Sequence, residues 1–158
     1  MGKILFIGLP YHNYVKALTE EMESQGHSVS YYPLELRKIK DKILRTLSTE
    51  AYENKHEKYY AEIIEQEKNN QYDYIIFLHI RLFSLSNMLK LRENHPESKF
   101  ILYTWDALSP VFNYIPYIPY FDKVCTFDPV DAKNYGLNYL PLFCVRDFQN
   151  LPIVEPDT

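Results

Sequence analysis

Short apolar runs alternate with stretches of helical period along this chain, and that alternation constrains its fold more than any other feature. The run from Lys3 to Gly8 is rich in β-forming residues and ends in Gly8-Leu9-Pro10, which predicts a buried first strand with a sharp exit. From Tyr14 onward, Val15, Leu18 and Met22 recur at helical spacing. Glu20, Glu21 and Glu23 take the outer face, and Gly26 is placed to stop the helix. A second strand is expected over His27 to Tyr32, and a third over Ile75 to Leu78, fed by Tyr72-Asp73-Tyr74. A fourth is expected over Lys99 to Thr104, a fifth over Asp122 to Thr126 and a brief sixth over Asn138 to Leu140. Ser84 should start a helix that runs through Met88 and Leu91 and frays before Pro96. Asp128, followed by Pro129, should cap another that ends near Gly136.

Two helical stretches separate the second and third strands. Glu35 to Thr49 is basic and amphipathic, with Leu36, Ile39, Ile43, Leu44 and Leu47 close to one stripe, and Ala51 to Asn70 reads as a polar helix. Strands and helices in this alternation imply βαβ units with right-handed crossovers. The expected fold is therefore α/β: a doubly wound, Rossmann-like, mostly parallel six-stranded sheet with helices on both faces. The expected strand order is 3-2-1-4-5-6. At 158 residues the chain fits one domain, 1–150, and the tail 151–158, with Pro152 and Pro156, has the composition of the start of an interdomain linker.

A net charge of -4 argues against a nucleic-acid binder, which needs a basic surface to neutralise phosphates. No apolar run approaches the ~20 residues of a membrane-spanning helix, and Ile4-Leu5-Phe6-Ile7 is too short for a signal-peptide core, so a cytoplasmic protein is expected. Charge is nevertheless uneven: Arg37, Lys38, Lys40, Lys42 and Arg45 fall within nine residues that hold one acid, Asp41. Such a stripe is either a solvated helix face or a contact with an anionic membrane or acceptor at the inner membrane face. Cys125 and Cys144 stand in apolar surroundings without C-x-x-C spacing and read as small buried hydrophobes rather than a disulfide or zinc site.

In an open parallel sheet, ligands bind beyond the carboxyl ends of the strands, near the point where the winding reverses. The predicted exits carry Tyr11-His12-Asn13, His79-Ile80-Arg81, Trp105-Asp106, and Asp128 with Asp131. His12 could serve as a general base near neutral pH or be a surface loop histidine, and Asn13 could touch a ligand or simply cap the first helix. Arg81 could bind a phosphate or carboxylate, or Arg81 and His79 could serve a structural ion pair at the sheet edge. Trp105-Asp106 could stack a sugar and accept its hydroxyl proton, or be a core ring beside a capping acid. Asp128 and Asp131 read as a cap and a first-turn acid. His27, His56 and His95 have no ligand spacing, so neither a metal nor a cofactor is expected. The first exit lacks G-x-G-x-x-G, and the chain lacks G-x-x-x-x-G-K-[ST] and G-x-S-x-G, which disfavours dinucleotide enzymes, phosphate-loop hydrolases and serine hydrolases.

Four blocks together resemble bacterial polysaccharide-biosynthesis glycosyltransferases and the spore-maturation CgeB-like proteins. They are Lys3 to His12, Tyr31-Tyr32-Pro33-Leu34-Glu35, Phe100 to Asp106, and Phe121 to Leu137 followed by Tyr139-Leu140-Pro141-Leu142. The resemblance implies a GT-B architecture of which this chain would be the N-terminal, acceptor-side domain. It implies as partners a nucleotide-sugar donor held by a missing C-terminal domain and a glycan or lipid-linked acceptor, with a cleft role for His12 and Asp106 as candidate catalytic residues and for His79 and Arg81 as lesser candidates; on their own chemistry Asn13 and Trp105 join His79 and Arg81 as candidate substrate contacts. The fragment alone would then be inactive. The alternative from another class is a stand-alone flavodoxin-like binding or regulatory module without catalysis.

Overall fold

The structure, a computed structural model, describes residues 1–110 and 112–145. The strands β1 (Lys3–Gly8), β2 (Ser28–Pro33), β3 (Tyr74–Leu78), β4 (Lys99–Thr104), β5 (Lys123–Thr126) and β6 (Asn138–Tyr139) form one sheet. Its order is β2-β1-β3-β4-β5-β6, and every neighbouring pair is parallel. The helices are α1 (Tyr14–Ser24), α2 (Ile39–Leu47), α3 (Thr49–Glu67), α4 (Leu85–Asn94) and α5 (Pro129–Tyr135), with a 3-10 turn at Ile115–Tyr120. The doubly wound α/β class and the six parallel strands are those expected. The order is not, because β3 lies between β1 and β4, giving the flavodoxin-like arrangement.

The reason is visible in the two strands that exchange places. Ser28-Val29-Ser30-Tyr31-Tyr32-Pro33 alternates polar residues and ends in a residue without a backbone donor, and no position of β2 is buried. That is an edge strand. Tyr74-Ile75-Ile76-Phe77-Leu78 is a continuous apolar run with Ile75, Phe77 and Leu78 buried, as a strand covered on both faces must be.

Alternate residues of the central strands feed two cores. Leu5, Ile7, Ile75, Phe77, Phe100 and Leu102 pack with Tyr60, Ile63 and Ile64 of α3, Met88 and Leu91 of α4, and Tyr114. On the other face Ile4, Phe6 and Leu78 pack with Val15, Leu18 and Met22 of α1. Helix boundaries follow local chemistry: the Ser84 hydroxyl accepts from the backbone N–H of Asn87, the Asp128 carboxylate accepts from Val130 and Asp131, and Gly136 closes α5 at a φ of 63°.

The two helices before β3 reverse their expected roles. The apolar stripe of α2 faces outward, with Ile39, Ile43 and Leu47 all exposed, whereas the helix read as polar is the one that packs. Tyr52, His56, Tyr60, Ile63, Ile64 and Glu67 of α3 are buried along one face. Their polar ends are satisfied in place. His56 accepts from the Leu36 N–H and sits 2.9 Å from the Tyr52 carbonyl, Tyr60 donates to the Leu34 carbonyl, and Glu67 accepts from Tyr32, Tyr72 and Asn70. Burial pushes the Glu67 carboxyl upward, but these hydrogen bonds and the nearby Lys3 charge prevail and hold it below the usual range. What anchors α2 is Asp41, buried against Lys55 and accepting from the Lys38 backbone N–H.

Candidate functional site

Because all strands run in one direction, their exits share one edge. The first crossover leads from β1 outward to β2 and the next returns past β1 to β3, so the winding reverses between β1 and β3. A cleft of about 490 Å³ opens there. It is lined by Leu9, Tyr11 and Tyr14 after β1, Glu35 and Arg37 after β2, His79 and Arg81 after β3, Trp105 and Asp106 after β4, and Leu142 and Phe143 after β6. Its volume suits a small molecule.

His79 is the best-defined group in it. The ring is 2% exposed, stacks on Phe112 at 3.9 Å, and receives the backbone N–H groups of Ile80 and Arg81 on Nδ1, both at 3.0 Å. Two donors on Nδ1 leave the ring proton on Nε2, which donates to Asp106 Oδ2 at 3.0 Å. The residue is held at a φ of 78°, and Leu82 just beyond it at 65°. Non-glycine residues in this region are uncommon, and they concentrate where surrounding structure over-determines the backbone.

Burial pulls the His79 pKa down to about 4, against the opposing pull of the Asp106 charge and hydrogen bond. Burial lowers that of His95 as well. Between the ordinary histidine value of 6.5 and about 4, the unfolded chain therefore binds protons that the folded chain refuses. The stabilisation is complete above the unfolded value and is lost as pH falls toward the folded one. Urea midpoints should accordingly drop between about pH 7 and about pH 5, before most carboxylates titrate. Unchanged midpoints over that interval would refute the depressed histidine.

Glu35 organises the opposite wall. It is 9% exposed and accepts from Tyr52 Oη at 2.7 Å and from Arg37 Nε at 3.0 Å, with Arg45 at 3.6 Å. Burial raises its pKa, but the bonds from Tyr52 and Arg37 and the two guanidinium charges outweigh that and hold the carboxyl below its ordinary value. Arg37, fixed in this way, lies over the Tyr11 ring at 5.8 Å. Tyr11, Tyr14 and Phe143 surround Trp105 at centroid distances of 6.4, 6.1 and 6.1 Å. The guanidinium of Arg81, an exposed residue, makes no hydrogen bond or ion pair with any described residue.

Of the residues anticipated at this edge, His79, Arg81, Trp105 and Asp106 line one cleft, as does Arg37. His12 is exposed at a φ of 47°, its ring 4.4 Å from that of Tyr11, and does not line the cleft. The acid at the end of β4 meets His79 instead, because β3 and not β1 is the neighbour of β4. Asn13 occupies the N-cap position of α1 without a side-chain capping bond. In the basic stripe Arg37 and Arg45 are tied to Glu35 and Lys38 donates its backbone N–H to Asp41, while Lys40 and Lys42 are exposed.

Asp131 is buried, accepting from the Leu108 N–H and from Tyr114 Oη, which is more than a first-turn acid would do. Cys125 is buried and Cys144 exposed, both as free thiols; the expectation that both are buried is corrected for Cys144. Among the described residues no group of three or more His, Cys, Asp or Glu could hold a metal, and no helix is long and apolar enough to cross a membrane. Glu35, which organises one wall, went unrecognised as a site residue; its only signal is an acid two residues before the basic stripe.

No protein-family model and no curated protein matches the sequence. Solved structures similar to the chain include response regulators. One, from Burkholderia pseudomallei with a phosphorylated aspartic acid, calcium ion and citrate, has a TM-score of 0.49 and 12% identity, over 84% of this chain and 64% of that one. This chain thus spans less than two thirds of its length. A chain from the complex of histidine kinase ThkA with response regulator TrrA has a TM-score of 0.48 and 16% identity, over 86% and 96%. TrrA from Thermotoga maritima with Mg(2+)-BeF has 0.47 and 19%, over 86% and 98%. Likeness at this level assigns no chemistry.

These findings correct the resemblance to GT-B and CgeB-like glycosyltransferases, since no such family model matches and the similar structures are of another kind. The partners it implied fall with it: the nucleotide-sugar donor on a C-terminal domain, the glycan or lipid-linked acceptor and the membrane contact. The physical reason lies in the blocks that carried the resemblance. They are mostly strand cores and their turns, which any parallel sheet of this kind requires. The domain span 1–150 and the linker from 151 extend beyond the described residues.

Proposed function

We propose that the chain is a flavodoxin-like binding module whose ligand site is the cleft at the β1/β3 reversal, and that it binds rather than transforms its ligand. The observation that carries this reading is the convergence of Arg37, His79, Arg81, Trp105 and Asp106 from three strand exits on one cavity of about 490 Å³. The state of His79 favours binding over proton transfer. With two backbone donors on Nδ1 and a pKa drawn down to about 4, its ring is a poor base near neutral pH, and its role is to hold Asp106 in place.

Trp105 is the only tryptophan in the sequence and lines the cleft, so its emission and its indole N–H resonance report directly on occupancy. Titration with a library of small metabolites should yield compounds that shift the Trp105 signal saturably and are recovered unaltered. If no compound shifts it, or if every hit binds with the Trp105 signal unmoved, the cleft is not the binding site. Chemical conversion of a bound compound would replace the binding reading with a catalytic one.

A further inference from the structure

We propose that the ligand of this cleft is a planar aromatic anion, its ring seated against Trp105 and Tyr11 and its phosphate or carboxylate held by Arg81. The inference rests on the binding reading above and adds the chemical class of the ligand.

The ring subsite follows from how the aromatic side chains meet. Tyr11 and Tyr14 approach Trp105 at interplanar angles of 68° and 67°, and Tyr14 meets Phe143 at 89°. In an edge-to-face contact the edge of one ring meets a face of the other, so the rings do not stack and each keeps at least one face outside the contact. Tyr11 is 46% exposed, so a large aromatic surface stands open at the cleft instead of in a core. A planar guest would cover the faces left free, and Arg37, pinned by Glu35 over one face of Tyr11, makes that wall rigid.

The charge of the ligand follows from which ionic groups are already paired. Glu35 is neutralised by Arg37 and approached by Arg45, and His79 is neutral. Asp106 has one oxygen committed to His79. Arg81 is different. Its backbone is fixed by the N–H bond to His79 Nδ1, yet its guanidinium has no acceptor among the described residues. A fixed backbone carrying an uncommitted guanidinium, beside an aromatic slot, suits bidentate capture of a carboxylate or phosphate. The second oxygen of Asp106 remains for a hydroxyl or amino group on the ring.

The test compares matched pairs on the whole chain, by calorimetry and by the Trp105 indole N–H resonance. One arm sets nucleoside 5′-monophosphates against the corresponding nucleosides and inorganic phosphate. The other sets indole-3-carboxylate against indole-3-carboxamide. Choline is added as a cation that an aromatic box could also accept. At least one anionic ring should bind about ten-fold or more tightly than its neutral partner, as a charge-assisted pair predicts, and the arm that does so distinguishes phosphate from carboxylate. Arg81→Gln should erase that difference by weakening the anion's binding about ten-fold, and Arg81→Lys should restore part of it.

Equal affinity of anion and neutral partner, an undiminished preference in Arg81→Gln, tighter binding of choline, or no binding by any member of the panel would each overturn the proposal. The binding reading would survive any of these if other metabolites still moved the Trp105 signal.

Discussion

Replacing Phe77 with alanine should lower the unfolding free energy by about 3–5 kcal/mol, the range for deleting a fully buried phenyl ring. The ring has no solvent exposure and meets Phe83 at 4.9 Å and 74° and Phe121 at 5.6 Å and 83°. Edge-to-face pairs of this kind add to the transfer contribution, and the hole left between sheet and helices cannot close without moving β3. Urea denaturation gives the measurement. Because Phe77 lies two residues before His79, the variant should also loosen the cleft. Phe77→Leu, which keeps most of the apolar volume, should lose less than half as much. A loss below about 1 kcal/mol for the alanine variant would mean that the larger core is not packed as described.

His79→Val should destabilise by about 3–5 kcal/mol, out of proportion to its small change in size. The variant removes the acceptor for two backbone N–H groups, each costing about 1–3 kcal/mol if left unpaired, and places a β-branched residue at a φ of 78°. His79→Asn is the informative companion. Asparagine tolerates the left-handed region, and its short side chain can accept from the same loop, so the loss should be roughly half that of the valine variant. Equal losses for the two would show that stacking on Phe112, and not the backbone, is what His79 secures.

Much of the fold was legible because it rests on local chemistry. The positions of β1, β4 and α4 follow from apolar period, from the Ser84 cap and from the stop before Pro96, and Asp128 and Gly136 bound α5 at the residues expected. Each depends on neighbours within a few residues, so a sequence window contains the cause. The helix before β3 was misread for a related reason. Tyr52, His56, Tyr60 and Glu67 all carry polar groups, and their burial depends on partners such as Glu35, Leu34 and Tyr32, which lie 17 or more residues away. Ile39, Ile43 and Leu47 form a regular stripe, yet among the described residues nothing covers it.

The candidate site divides in the same way. That polar groups gather at the carboxyl ends of parallel strands was determined by the sequence alone, since the side chain at each exit follows from where each strand stops. Which of them meet was decided by strand order, a contest among crossovers spanning dozens of residues. Placing β3 beside β4 brings His79 to Asp106 and leaves His12 outside, and returning β2 to the edge brings Glu35 and Arg37 to the cleft. A chain specifies its strands through local propensity and pattern. It specifies their order only through the total burial of the finished sheet, where the continuously apolar β3 must lie at the centre and the half-polar β2, with Pro33, can occupy only the rim.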